Sequence, residues 1–224
     1  QLIDSDYLGR LHHVQACYLH SSWLDPARAA SWKTALAEGG SGVLGDLGAH
    51  VIDLLQWWFG PMVRGVGSLS TFIGERPGAD GAMAKVETDD AAAFVAEFEG
   101  GGKATVQYSR VAPEPHNYQR FEYYGSAGTL VYEYDQPMAH VGKVSGARAG
   151  EGDVKEIAIP AELSDGFHGQ NTFAKVYGAL TDPFFASLRI ASPTPSPNFA
   201  DGLATQKVIE AVARSAARGS WESI

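Results

Sequence analysis

Between residues 91 and 135 the apolar side chains recur every second position, in four short stretches separated by turn residues. The stretches are "AAAFVAEFE" (91–99), "KATVQYSRV" (103–111), "YQRFEYYG" (118–125) and "TLVYEYD" (129–135). A period of two is the pattern of a strand with one face buried. Gly100-Gly101-Gly102 and "GSAG" (125–128) are hairpin turn signals. Consecutive hairpins disfavour a doubly wound parallel sheet, which needs a crossover helix between neighbouring strands. Further strands are predicted at 10–21 and 63–73, with weaker ones near 138–144 and 154–159. Helices are predicted at 27–38, 43–59, about 168–189 and about 198–218, and 74–87 reads as a mobile loop. A block of strands with helices before and after it predicts an α+β fold: an open, mostly antiparallel mixed β-sheet with helices packed on one face. The 224 residues are read as one domain, 1–224.

The stretch "GGSGVLGDLGAH" (39–50) contains Gly40-x-Gly42-x-x-Gly45, the spacing of a dinucleotide-binding glycine loop. Its context does not suit that role. No buried strand leads into the glycines. No Asp or Glu lies between Asp53 and Glu75, where a ribose-binding acid belongs. The same residues read better as the start of a helix stopped by Gly60-Pro61. On it Asp46, His50 and Asp53 stand at i, i+4 and i+7 and share a face, among neighbours apolar almost all round. Three ionisable groups on such a helix each need a partner or a wet cavity. Asp46 either caps the helix or pairs with His50, or the two work on a substrate. A shared metal is a third reading, but no HExxH motif or Cys cluster supplies further ligands.

The formal net charge of −9 argues against nucleic acid or an anionic membrane surface as partner. No stretch is long and apolar enough for a membrane span, and "QLIDSDYLGR" has no signal-peptide character. The lone Cys17 excludes an internal disulfide and reads as a buried, inert thiol. These features predict a cytoplasmic protein. The chain begins at Gln1 and its first Met is Met62, which predicts a piece of a longer polypeptide.

The stretch "SWKTALAEGGSGVLGDLGAHVIDLLQWWFG" (31–60) resembles the Gfo/Idh/MocA family of glucose–fructose oxidoreductase, inositol dehydrogenase and their relatives, at the W-x(n)-GG-G-x-L-x-D-x-G-x-H-x-x-D pattern of that family's second domain. "LIDSDYLGRLHHVQACY", "FEYYGSAGTLVYEYD" and "DGLATQKVIEAVARSAARGSW" are similar to its entry strand, its strand–GxxG–strand hairpin and its closing helix. The resemblance implies the C-terminal domain of an NAD(P)-dependent oxidoreductase acting on the CH–OH group of a sugar or polyol. Its fold would be that of the C-terminal domain of glyceraldehyde-3-phosphate dehydrogenase. An N-terminal Rossmann domain, absent from these residues, would bind NAD or NADP, and this chain alone would be inactive. Glu75-Arg76-Pro77 imitates the family's Glu-Lys-Pro motif but lies in the wrong place and reads as coincidence.

The resemblance further implies that His50 is the base taking the hydroxyl proton, and that Asp46 orients the substrate or the imidazole. Asp53 is read as a structural anchor. Trp32 and Lys33 fall where the family places pocket residues; packing and solvation are their ordinary alternatives. His168 and Asn171 open the penultimate helix, where some relatives hold a substrate contact and where polar residues are in any case common. His12, His13 and His20 need no special role. A homo-oligomer through the sheet, by way of the Tyr and Phe residues of 118–134, is the implied assembly. The alternatives are a non-catalytic ligand-binding or oligomerisation module, or a metal-dependent hydrolase or lyase.

Overall fold

The computed structural model describes residues 1–114, 116–135, 142–164, 172–190 and 197–224. In chain order the elements are β1 (Leu11–Leu19), a 3-10 turn (Trp32–Thr34), α1 (Leu36–Gly39), α2 (Val43–Asp46), α3 (Gly48–Phe59), β2 (Met62–Ser70), β3 (Glu75–Pro77) and β4 (Met83–Lys85). Then follow β5 (Ala91–Phe98), β6 (Lys103–Ser109), β7 (Tyr118–Gly125), β8 (Gly128–Tyr134), β9 (Lys143–Arg148), β10 (Lys155–Ile157), α4 (Ala161–Ser164), α5 (Thr172–Arg189), α6 (Phe199–Arg218) and β11 (Glu222–Ser223).

Nine strands form one open sheet in the order β10-β9-β8-β7-β1-β6-β5-β2-β11. The expected hairpins β5–β6 and β7–β8 are present. They do not adjoin. β1 lies between them, parallel to β6 and antiparallel to β7, and this is the sheet's one parallel pair among the described residues. The alternation sets two faces. Val14, Ala16, Phe94, Val106, Phe121 and Tyr123 point inward and pack under α2, α3 and α6. The outer face carries ion pairs: Arg64 and Lys103 flank Glu97, at 2.7 and 3.2 Å, and Arg120 pairs with Glu122 and Glu133. The aromatic residues expected to face a partner are therefore divided. Phe121, Tyr123 and Tyr132 belong to the core side, while Tyr124 stacks on His13 outside, ring centroids 4.6 Å apart.

Several expectations change. Residues 27–31 are not helical: Ser31 caps the 3-10 turn with its side chain, so helical structure starts later and in short pieces. The loop at 74–87 contains the β3–β4 hairpin. It is fastened by the fully buried Arg76, whose guanidinium donates to the carbonyls of Trp23 and Asp25 at 2.5 and 2.7 Å. Of the strand expected near 138–144, residues 138–141 lie outside the described residues; β9, from Lys143 to Arg148, pairs with both β8 and β10. Cys17 is half-buried on the outer face, where burial pushes its thiol up. The helix at 43–59 is interrupted at Leu47. It is not buried all round: Val51, Ile52 and Leu55 face the sheet, whereas Trp57 is 70% exposed and His50 is exposed. An amphipathic helix lying on one sheet face needs only that stripe.

Candidate active-site cleft

The glycine loop sits at the sheet end where β5 begins and β6 finishes, and its polar groups are already engaged. The buried Asp89 carboxylate accepts the N–H of Gly42 and of Leu44, both at 2.8 Å, and the Asp89 carbonyl accepts that of Val43 at 3.0 Å. These are the free N–H groups of the α2 N-terminus, the groups that would otherwise hold a phosphate. Gly42 permits the approach, since a Cβ there would stand 2.0 Å from the Asp89 carbonyl oxygen. Gly42→Ala should lower stability by about 1–3 kcal/mol, as overpacking does, read as an earlier denaturant midpoint. An unchanged midpoint would remove this account of the glycine.

Asp89 continues into a buried network. Asp90 accepts Arg110 Nε at 2.9 Å and the N–H groups of Phe72 and Ile73, each at 2.9 Å. Arg110 also donates to Thr88 Oγ1 at 3.1 Å, and Thr88 donates to the Lys33 carbonyl at 2.8 Å. Trp23 stacks beneath three guanidinium groups, those of Arg28, Arg110 and Arg76, at 4.1, 4.8 and 5.1 Å from its ring. The 3-10 turn bearing Trp32 and Lys33 thus rests on a rigid charged floor.

From that turn Lys33 Nζ reaches Asp46 and donates to both carboxylate oxygens, at 2.8 and 3.0 Å. Asp46 spends its hydrogen bonds on Lys33 and makes none to His50. The pair is one-third exposed and lines an open cleft of about 620 Å³ together with Trp32, His50, Asp53 and Arg110, a volume that suits a small ligand. Trp32 is 58% exposed, and Lys33 Nζ lies 5.5 Å from its ring. α6 supplies the opposite wall with Thr205 and Gln206.

Four of the six residues singled out from the sequence, Trp32, Lys33, Asp46 and His50, therefore share one cleft. His168 and Asn171 lie outside the described residues. Sequence reasoning missed Arg110, Thr205 and Gln206. It also gave His20 no role. Burial pushes that imidazole below its ordinary range, the Asp46 charge opposes the shift, and Nδ1 accepts the Ser22 N–H at 3.3 Å. Among the described residues no group of three or more His, Cys, Asp or Glu side chains is placed to hold a metal ion, and no helix is long and apolar enough to cross a membrane.

The open mixed sheet with helices on one face is the fold of the C-terminal domain of an oxidoreductase family. The description "GFO/IDH/MocA C-terminal domain" matches residues 1–131, and the chain belongs to that family. It is 28% identical to levoglucosan dehydrogenase of Pseudarthrobacter phenanthrenivorans, over 99% of this chain and 62% of that protein. Levoglucosan dehydrogenase in its apo form superposes with a TM-score of 0.87 at 26% identity, covering all of this chain and 61% of that one. Its complex with NADH and levoglucosan gives 0.86, with the same identity and coverage. An oxidoreductase domain protein from Kribbella flavida gives 0.85 at 28% identity, covering all of this chain and 62% of that one. The chain thus spans about three-fifths of the length of the relatives it matches.

Proposed function

We propose that these 224 residues are the substrate-binding and catalytic half of an NAD(P)-dependent oxidoreductase acting on the CH–OH group of a sugar, polyol or related compound. The observation that carries this reading is the convergence of the Lys33–Asp46 pair and His50 in one open cleft, in a chain of this family. Their chemistry suits alcohol oxidation. Removing a hydride from a carbinol carbon leaves a hydroxyl proton to be taken, and an imidazole nitrogen is fitted to accept it. A ring nitrogen of His50 is assigned that proton. A carboxylate paired to an ammonium offers an acceptor and a donor side by side, the complement of a hydroxyl, so Asp46 and Lys33 are assigned to orient the substrate. The exposed indole of Trp32 gives an apolar platform beside them.

The glycine loop of this chain does not fit a dinucleotide, because Asp89 occupies its N–H groups. NAD or NADP, which would accept the hydride, is assigned to a Rossmann part of the same polypeptide outside these residues. The charge-laddered outer face of the sheet, which no helix covers among the described residues, is assigned to a homo-oligomer contact, and the cytoplasm is the compartment proposed.

The test is turnover of a panel of sugars and polyols, levoglucosan among them, with NAD and with NADP. The full-length gene product should reduce the nucleotide and the isolated 224 residues should not. Sedimentation of the same product should give a multiple of the protomer mass. No turnover by the full-length product on any member of the panel would sink the reading, as would turnover by the 224 residues alone.

A further inference from the structure

On the side of α3 away from the cleft, the inner face of β7, β8, β9 and β10 lines a second hollow, an apolar groove of about 680 Å³. α3 is the partition between the two. Ala49, His50 and Asp53 line the cleft, while the half-buried Leu54 and Trp58 line the groove. Phe121, Tyr123, Leu130 and Tyr132 form the groove's floor. The Tyr123 hydroxyl is buried there and makes no hydrogen bond among the described residues. Apolar hollows of this kind mark places where something packs, and a buried hydroxyl without a partner is rare.

The remaining wall of the groove is made by residues 1–5, and their hydrogen bonds are those of a helix end. The Ser5 N–H donates to the Gln1 carbonyl at 2.8 Å, the spacing of an α-helical turn. The Tyr7 N–H donates to the Leu2 carbonyl and the Asp6 N–H to the Ile3 carbonyl, each at 3.1 Å. Asp6 stands in the left-handed region, at φ +58°. This pair of bonds, nested one inside the other around a left-handed residue, is the Schellman motif that closes α-helices. Leu2, Ile3 and Tyr7 pack against the core. One turn held by one bond is too short to form by itself, because helix nucleation is costly.

We infer that residues 1–5 are the closing turn of an amphipathic helix formed by the residues that precede Gln1, and that the groove is the seat of that helix. Leu2 and Ile3 already set its face. Side chains three, four and seven residues ahead of them point the same way, onto the sheet. The relatives leave room for such a segment, since this chain spans 62% of levoglucosan dehydrogenase. The seat also has a consequence for the cleft. Leu54 stands four residues after His50 on α3, hence next to it on the helix surface. A helix packed on Leu54 and Trp58 therefore holds the element that carries His50, and ties it to the part of the polypeptide ahead of Gln1. The seat itself stands on geometry and is independent of the function proposed above.

The experiment uses the full-length gene product, with Cys17 and any other cysteine changed to Ser. One cysteine is set in the groove, as Leu54→Cys or Val144→Cys. A second is walked, one variant at a time, through about ten residues ahead of Gln1, roughly three turns. Under mild oxidation, bridges within the chain should form at positions three or four residues apart, on the side continued from Leu2 and Ile3. Their yield should be about tenfold above that of the positions between them, because a disulfide needs Cα atoms within about 7 Å. Read from the gene, the same positions should be apolar, with no proline in the last two turns. No bridge at any position, equal yields all round the helix, or such a proline would overturn the seat. Bridges formed only between two chains would overturn it in favour of a second copy. A long-chain apolar molecule released from the purified product on denaturation would overturn it in favour of a ligand. Periodic bridges in a product that oxidises no polyol would keep the seat and reject the proposed function; turnover without bridges would do the reverse.

Discussion

His50→Ala in the full-length gene product is expected to cut kcat for polyol oxidation by about 10²–10⁴-fold, the range a positioned general base contributes. The fold should barely register the change. His50 is exposed on the cleft side of α3, and the residues that seat this helix are Val51, Ile52 and Leu55. Surface substitutions of that kind stay within about 0.5 kcal/mol. The expected signature is therefore a large kinetic loss at constant melting temperature. Without the imidazole the hydroxyl proton must leave to solvent, so the variant's rate should climb with pH and its deficit should narrow in alkaline buffer. Asp46→Ala should behave differently. It leaves the Lys33 ammonium without its partner, and truncating one member of a substrate-facing pair should raise KM as well as lower kcat. A His50→Ala enzyme with unaltered kcat would end the catalytic assignment, whatever the cleft binds.

What could be read from the sequence, and what could not, divides along a physical line. Local patterns held for the strands and for the end of α3, though not at 27–31, where no helix forms. The period-two stretches became β5, β6, β7 and β8, and Gly60, at φ +83°, ended α3 as the Gly-Pro signal required. Pairing across long distances was not legible. Nothing in "RLHHVQACYLHS" says that it inserts between two hairpins about 90 residues downstream, because strand order is settled by tertiary packing. The site shows the same division. Asp46, His50 and Asp53 share a cleft because they are near in sequence, Asp46 ending α2 and the other two lying in the first turns of α3. Thr205 and Arg110 join them from α6 and from the end of β6, with no local motif to mark them. One signal was available. "TDDAAAF" places two acids directly before an apolar strand, and buried carboxylates at a strand entrance demand donors. Asp89 finds them in the glycine loop and Asp90 in Arg110. The spacing Gly40-x-Gly42-x-x-Gly45 therefore serves a carboxylate of the chain itself, and only the contacts of the loop could distinguish that from a phosphate.

The largest loss of stability should come from Arg110→Met. Asp90 and Arg110 are 0% and 1% exposed and 2.9 Å apart. Removing one member of such a pair leaves the other charge buried without compensation, which costs about 3–5 kcal/mol. For a domain of this size that corresponds to a fall in melting temperature of roughly 6–20 °C. Methionine keeps the apolar stem and most of the volume, so the effect would report the charge and its hydrogen bonds rather than a cavity. Asp90→Asn should cost less, since an amide oxygen can still accept the Phe72 and Ile73 N–H groups. The double variant should fall well short of the sum of the singles, because the pair is one unit. The consequences should also reach the cleft. Arg110 orients Thr88, Thr88 holds the Lys33 carbonyl, and Lys33 holds Asp46. At a temperature where Arg110→Met remains folded, its KM should rise as the Lys33–Asp46 pair loosens, and Thr88→Val should reproduce part of that rise with a smaller loss of stability. Additive melting shifts in the double variant would show that the ion pair is not the unit holding this end of the sheet. An unchanged KM in both Arg110→Met and Thr88→Val would show that the buried floor supports the fold without positioning the cleft.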